Sequence, residues 1–313
     1  MEVLRHNKRR GAALMLSLWA LFLLSAMVIS WALNIDSRLI LSGYANRNLE
    51  ALALACSGVE VAMHPRTTPG AEVLQGGFGR GQQYQARMTG ESGRININWV
   101  VAVPETPARI ELLRKYLEIK GVELNERDQM IDTLLDWVDP DNLVRLNGAE
   151  DEAGYKAPNK QKLGRIEELK KIKGWEEFTS ASDWDADLTL YSGGAQGAGG
   201  QQGAPIDIAW ASKEVLLALP GASEDRVDQF ISMRSGADEI DGTEDDPFRP
   251  PNGSQEQGLA LLGIDPQQLA GLIATGPDQV MRVISVGKSG DVTRTVRVVF
   301  MKGTLQLKSW KEF

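Results

Sequence analysis

From Gly11 to Leu33 the chain carries no charged residue, and the segment just before it holds Arg5, His6, Lys8, Arg9 and Arg10. A helix over Ala12–Leu33 (AALMLSLWALFLLSAMVISWAL) would span roughly 33 Å, enough to cross the hydrocarbon core of a bilayer. The flanking positive charges favour the cytoplasmic side, which sends everything after Leu33 across the membrane. A cleaved secretory signal fits less well, because its apolar stretch is ~7–15 residues and ends at a small-x-small site. This run is longer, contains Trp19 and Trp31, and offers Ser30-Trp31-Ala32 as a poor cleavage context. The expectation is a retained single-pass anchor. A lipoprotein reading of Cys56 fails, since Cys56 lies far beyond the apolar run.

The pattern continues past the membrane edge. Ile35, Leu39, Leu49, Leu52, Cys56, Val59 and Met63 recur at mostly three- and four-residue steps, as on one buried helix face. Asp36, Arg38, Arg47, Glu50 and Glu60 occupy the other face, and His64-Pro65 stops the helix. A helix over 12–63 would be roughly 78 Å long, its first half in lipid and its second half an amphipath that needs a partner surface.

With 313 residues, 42% of them apolar, the chain can bury a substantial core. One cysteine excludes an intrachain disulfide, and Cys56 reads as a small packing residue on the helix stripe. His6 lies in the leader and His64 at a helix end, leaving no histidine for a Ser or Cys triad in the body. No paired-acid cleft is legible, so no enzyme is expected; a membrane-anchored hydrolase is the disfavoured alternative.

After the helix, Gln83–Thr89 and Gly93–Asn98 read as strands around a turn at Gly90–Gly93. From about Pro107 the texture is helical: Ile110, Leu113 and Leu117 form one stripe, and Met130, Ile131, Leu134, Leu135 and Val138 a second. Ile166, Leu169 and Ile172 predict a third helix, and Asn125 and Glu126 are expected as caps of a helix over 127–138. Ser192–Pro205, with six glycines, reads as a flexible linker. Helices are predicted at Ser212–Leu219, Glu224–Arg234 and Pro266–Ala274. Alternating strands follow at Gln279–Val286, Val292–Met301 and Thr304–Trp310, with turns at Gly287–Asp291 and Lys302-Gly303. The expected fold class is α+β: a long N-terminal helix on an antiparallel sheet, with a large α-helical block inserted at about 105–277.

Inside the block, Val215–Ala222 and Val227–Arg234 resemble a SAM-like helix-hairpin-helix, a unit that can bind DNA phosphates. Between Ile206 and Arg249, however, eleven Asp/Glu face four Lys/Arg, and Asp238–Asp246 alone holds six acids. Such a surface repels a polyanion, so the hairpin is read as a packing unit and no nucleic acid is expected. Asp139, Asp141, Asn147, Glu150 and Asp151 bring hard oxygens into one short loop, the donor type Ca²⁺ takes. Asp139, Asp141 and Glu150 stand at the first, third and twelfth places of an EF-hand count, but Val144 holds the place of its glycine.

A short basic leader ending in Gly11, followed by a helix half lipid-facing and half amphipathic, resembles the type IV prepilins and type II secretion pseudopilins. The resemblance implies cleavage by a prepilin peptidase between Gly11 and Ala12, with methylation of the new N-terminus. Most members carry a glutamate where this chain has Leu16. An unpaired carboxylate in lipid is costly, and a subunit at a filament tip has no neighbour ahead to pair it. That departure resembles the K-type minor pseudopilins. So do Gly93–Asn98 (GRININ), Asp136-Trp137-Val138-Asp139-Pro140-Asp141, Gly148-Ala149-Glu150-Asp151, Tyr155, Pro158-Asn159 and Ile166–Leu169 closing on Gly174, in that order. Ile206–Ala211 (IDIAWA) departs from the family's pattern.

The resemblance divides the chain into a leader (1–11), an anchor and pilin helix (12–64), sheet segments at 65–105 and 278–313, and an inserted domain at 106–277. It implies a minor subunit at the tip of a periplasmic pseudopilus, inner-membrane anchored with a cytoplasmic N-terminus, aiding assembly and export. Expected partners are other minor pseudopilins of the tip, the peptidase, and an exported protein or the secretin. It also implies Ca²⁺ in the helical domain, at positions matching Asp139, Asp141, Asn147, Glu150 and Asp151. A minor pilin of a type IV pilus or DNA-uptake system is the alternative.

Overall fold

No proline interrupts the chain before Pro65, and the helix this permits, α1 (Glu2–Met63), runs without a break. In the computed structural model the described residues are 2–79, 81–152, 154–181, 183–193, 203–243, 245–248, 254–265, 269, 271–274 and 279–313. In chain order there follow β1 (Gln75–Gly79), β2 (Gln82–Gly90), β3 (Ile95–Asn96), α2 (Ile97–Val100), α3 (Pro107–Ile119) and α4 (Leu124–Val138). Next come β4 (Asp151–Glu152), β5 (Tyr155–Lys156), β6 (Leu188–Thr189), α5 (Lys213–Leu217), α6 (Glu224–Arg234) and α7 (Gln255–Leu262). The chain closes with β7 (Val280–Ser289), β8 (Val292–Met301) and β9 (Gln306–Glu312).

The membrane-length half of α1 touches none of the described body: Leu14, Trp19, Phe22, Met27 and Trp31 are all exposed. Its second half lies on the sheet, but the buried seam is Ala51, Ala55, Val59 and Ala62. Ile35, Leu39 and Leu49, expected on that seam, are exposed, while Leu52, Cys56 and Met63 only flank it. Small residues win because helix and sheet nearly touch. A Cβ on Gly287 would lie 2.0 Å from the Ala51 carbonyl oxygen, and one on Gly58 would lie 2.2 Å from Ser285 Oγ. Glu50 locks the contact by accepting from Ser289 Oγ (2.7 Å) and Gln82 Nε2 (3.2 Å), and Arg47 pairs with Asp291 at 3.1 Å.

The sheet is antiparallel in the order β1-β2-β7-β8-β9, so segments distant in sequence pair at β2–β7. β8 matches its predicted bounds, and β7 runs on to Ser289, where Gly290 at φ 60° turns the chain into β8. Gly93–Asn98 does not join this sheet. Ile95–Asn96 pairs in parallel with β6, and Asn96 then caps α2, its Oδ1 accepting from Trp99 N (3.2 Å). Asn98 brackets the Leu163 backbone, donating to its oxygen (2.9 Å) and accepting from its nitrogen (2.7 Å). Asn96 thus satisfies a free helix-start N–H, and Asn98 serves backbone groups that a ladder would otherwise pair.

The helical block between β2 and β7 has its own apolar core around Leu113, Tyr116, Leu117, Leu134, Trp175 and Phe230, which also draws in Ile95, Ile97, Val100 and Val101. α4 begins at Leu124 after Glu123, so Asn125 and Glu126 lie inside the helix and cap nothing by side chain. Ile166–Lys171 is a single 3-10 segment, too short for the predicted α-helix. The sequence patterning does not predict α7, and the helix expected at Pro266–Ala274 falls largely outside the described residues. There, Leu269 and Gly271–Ala274 form turns and a bridge from Ile273 to Ile206. Most of the glycine-rich linker, 194–202, also lies outside them.

Two devices join block and sheet. Trp210, from the departing IDIAWA segment, packs in the apolar cluster of α1 and the sheet. A Cβ on Gly90 would lie 2.3 Å from its ring, and one on Gly242 would lie 1.9 Å from Cη2. Beside it, the fully buried Glu91 accepts from Arg282 Nε and Nη2, both at 2.7 Å, and from Thr189 Oγ1. Because Gly90 pairs with Met281, and β7 enters the sheet beneath the C-terminal end of α1, the block sits at the end farthest from the apolar rod.

Candidate metal centre and exposed apolar helix

α4 ends at Val138 with Asp139 as its C-cap, which places Asp136 and Asp139 on one side of the last turn. No basic residue occupies that turn, so both carboxylates stand in the negative field of the helix C-terminus. The loop then folds back through Gly148 and delivers Glu150 to the same spot. The ligand atoms of Asp136, Asp139 and Glu150 all lie within 4.8 Å of one another. A Cβ on Gly148 would sit 1.8 Å from Asp136 Oδ2, so only glycine lets the loop pass so close. Trp137 and Tyr155 back the site with ring centroids 5.7 Å apart, and Asn159 Nδ2 donates to the Asp141 carbonyl at 2.7 Å.

Asp136 is fully buried and Glu150 is 4% exposed. Buried carboxylates need compensation, and Arg145 supplies part of it. Its guanidinium lies 3.3 Å from Asp136, 3.6 Å from Asp139 and 2.5 Å from Glu105. Compensation is incomplete, because Glu150 Oε1 and Asp139 Oδ1 are buried without hydrogen-bond partners. Burial first, and neighbouring carboxylates second, push Asp139 and Glu150 above the usual carboxylate range. Burial likewise raises Asp136, against the opposing pull of Arg145. A dense set of hard oxygens with orphaned lone pairs suits a hard divalent cation.

Of the five residues predicted for this site, Asp139 and Glu150 meet. Asp141 stands close enough to raise both electrostatically, while its Oδ1 accepts from Leu143 N at 2.8 Å. Asn147 turns away, donating from N and Nδ2 to Asp132 at 3.1 and 3.0 Å, and Asp151 is exposed on β4, 4.0 Å from Lys156. The predicted set omits Asp136, although its three-residue spacing from Asp139 at a helix end is a signal for it. Arg145 and Glu105 carried no such signal.

Elsewhere the hairpin α5–α6 engages two of its basic residues, Lys213 and Arg234, in contacts with its own block. Lys213 pairs with Glu224 (3.0 Å) and Asp228 (2.7 Å). Arg234 donates to the Ile208 and Ala211 carbonyls (2.9 and 2.7 Å) and pairs with Asp241. In the 238–246 loop, Asp245 accepts from Ala237 and Asp238 backbone nitrogens and Asp246 from Gly242, so these acids brace their own turn. At the other end of the molecule, Gly11 and Ala12 lie within the continuous α1 backbone, and Leu16 is 71% exposed on it.

A helix apolar along its membrane-length stretch and laid on an antiparallel sheet in its second half is a pilin-like fold. Residues 93–182, which contain the whole acidic cluster, match the family described as type II secretion system (T2SS), protein K. A type II secretion system protein K of Escherichia coli (strain K12), itself a provisional assignment, is 26% identical over 199 residues, 54% of this chain. That match spans 59% of the relative's length. The fold is similar to a chain in the crystal structure of the GspK-GspI-GspJ complex of enterotoxigenic Escherichia coli. The TM-score is 0.50 at 14% identity, over 89% of this chain and 97% of that one. Over residues 93–182 the chain is similar to the protein K family of the type II secretion system.

Proposed function

We propose that this protein caps the tip of a type II secretion pseudopilus and promotes its assembly, as a structural component and not an enzyme. The observation that carries the reading is the polarity of the molecule. An unpartnered apolar rod leaves one end of the sheet, and the inserted domain, about 106–277, stands at the other, where it would obstruct a further subunit. In this reading α1 anchors the chain in the inner membrane with its N-terminus cytoplasmic and its body periplasmic. A prepilin peptidase cuts between Gly11 and Ala12, and Leu16 suits a position with no subunit ahead. The partners are other minor pseudopilins, consistent with the complex in which the structural relative was solved.

We further propose that Asp136, Asp139 and Glu150, with Asp141 nearby, hold Ca²⁺. The ion would supply positive charge at the C-terminus of α4 and fix the returning loop; Asn147 and Asp151 take no part.

The test is co-expression with a prepilin peptidase and the neighbouring minor pseudopilins. A mature chain starting at Ala12 that co-purifies with those subunits supports the reading. A chain starting at Met1 or near Leu33, or export that continues undiminished after deletion of the gene, overturns it.

A further inference from the structure

A Ca²⁺ ion at the proposed site, on which this inference rests, gives Arg145 no role. Its guanidinium contacts Asp136 at 3.3 Å and Asp139 at 3.6 Å, the oxygens a cation would take, and its backbone nitrogen also points at Asp136 (3.2 Å). The same side chain holds Glu105 outside the cluster at 2.5 Å. Glu150 Oε1, almost wholly buried and aimed into the cluster, has no partner. One positive charge therefore serves Asp136, Asp139 and Glu105, and no contact carries it to Glu150. A Ca²⁺ ion needs its oxygens at ~2.3–2.6 Å, so it would stand in the contact shell of the guanidinium, where like charges repel.

We infer that Arg145 and a divalent cation are alternative occupants of the Asp136–Asp139–Glu150 cluster. Without metal, Arg145 is the resident counter-charge. Loading the ion sends it out toward Glu105, its remaining partner. The segment it tethers carries Leu143, Val144 and Leu146, which are 77%, 58% and 96% exposed, while Asn147 stays moored to Asp132. Metal loading thus repositions an apolar segment by releasing one arginine.

Calcium titration calorimetry on the full chain in detergent micelles tests this, comparing wild type, Arg145→Gln and the control Lys156→Gln. Lys156 is an exposed cation paired with Asp151 outside the cluster. The expected result is about tenfold tighter binding for Arg145→Gln and a change under about twofold for Lys156→Gln. Heat from Arg145→Gln alone, with none from wild type, also supports the competition. Equal or weaker binding by Arg145→Gln overturns it, as does an equal gain in both variants, which would mean bulk charge is responsible. No calcium heat from any variant sinks the metal reading itself. Should Arg145→Gln fail to fold, Arg145→Lys takes its place, with a gain of roughly twofold to threefold as its flexible ammonium bridges the carboxylates less well.

Discussion

Glu91 and Arg282 stand 191 residues apart in sequence and meet as a buried, bidentate pair at 2.7 Å. Arg282 belongs to the sheet and Glu91 to the first turn of the helical block, so the pair fastens the two parts together. Removing one partner leaves the other charged and buried. Glu91→Gln or Arg282→Met should therefore cost about 3–5 kcal/mol in denaturant unfolding, and the double variant less than the sum of the two. Additive costs would refute the pairing as the source of the effect.

The same pair sets an acid limit. Burial alone would raise the Glu91 carboxyl, but Arg282 and Arg94 outweigh it and hold it below the usual carboxylate range. A depressed folded value means the stabilisation is present above the unfolded pKa of about 4.3 and is lost as pH falls through the folded value. Melting curves of wild type and Glu91→Gln should thus converge as pH drops from about 6 to about 3. A gap that stays constant over that range contradicts the assignment.

At Gly287 the sheet has no room for a side chain beneath α1, because the obstructing atoms are helix backbone. Gly287→Val should cost roughly 1–3 kcal/mol and loosen the helix from the sheet. Faster amide exchange in Ala51–Ala62 is the readout, and unchanged protection there would disprove the close approach.

Trp210 depends on small neighbours. Gly242 adopts φ 89° and would drive a Cβ into the indole. Gly242→Ala should destabilise by roughly 1–3 kcal/mol from backbone strain alone. A matching change in tryptophan fluorescence would locate the disturbance at the joint; a silent substitution would count against it.

For the acidic loop, Glu150→Gln keeps the shape and removes a charge. Calcium affinity should fall by about tenfold or more in titration calorimetry, whereas Asp151→Asn should leave it within about twofold. Equal losses would mean that the exposed acid, which points away, still ligates.

Periodicity and turn chemistry revealed what local rules decide. β8 and α6 have their predicted bounds, and α1 stops ahead of Pro65 as expected. Local rules failed where distant partners decide. Ile95–Asn96 has strand texture, yet its ladder partner is Leu188–Thr189 in the block. The seam of α1 goes to Ala51, Ala55, Val59 and Ala62 because Gly287 on β7 lets helix and sheet approach, which hydrophobic ranking does not register. Ile166–Lys171 has helical spacing, but the chain turns at Gly174 (φ 86°) before a second α-helical turn can form. In the candidate site, the acids were visible as a cluster, but which of them converge depends on Gly148 and on Asn147 turning to Asp132.

The unbroken course of α1 has a mechanical corollary. With no proline between Glu2 and Met63, one continuous helix joins the apolar rod to the part laid on the sheet. Tilting the exposed end of the rod is therefore passed along a single helix to the seam at Ala51, Ala55, Val59 and Ala62.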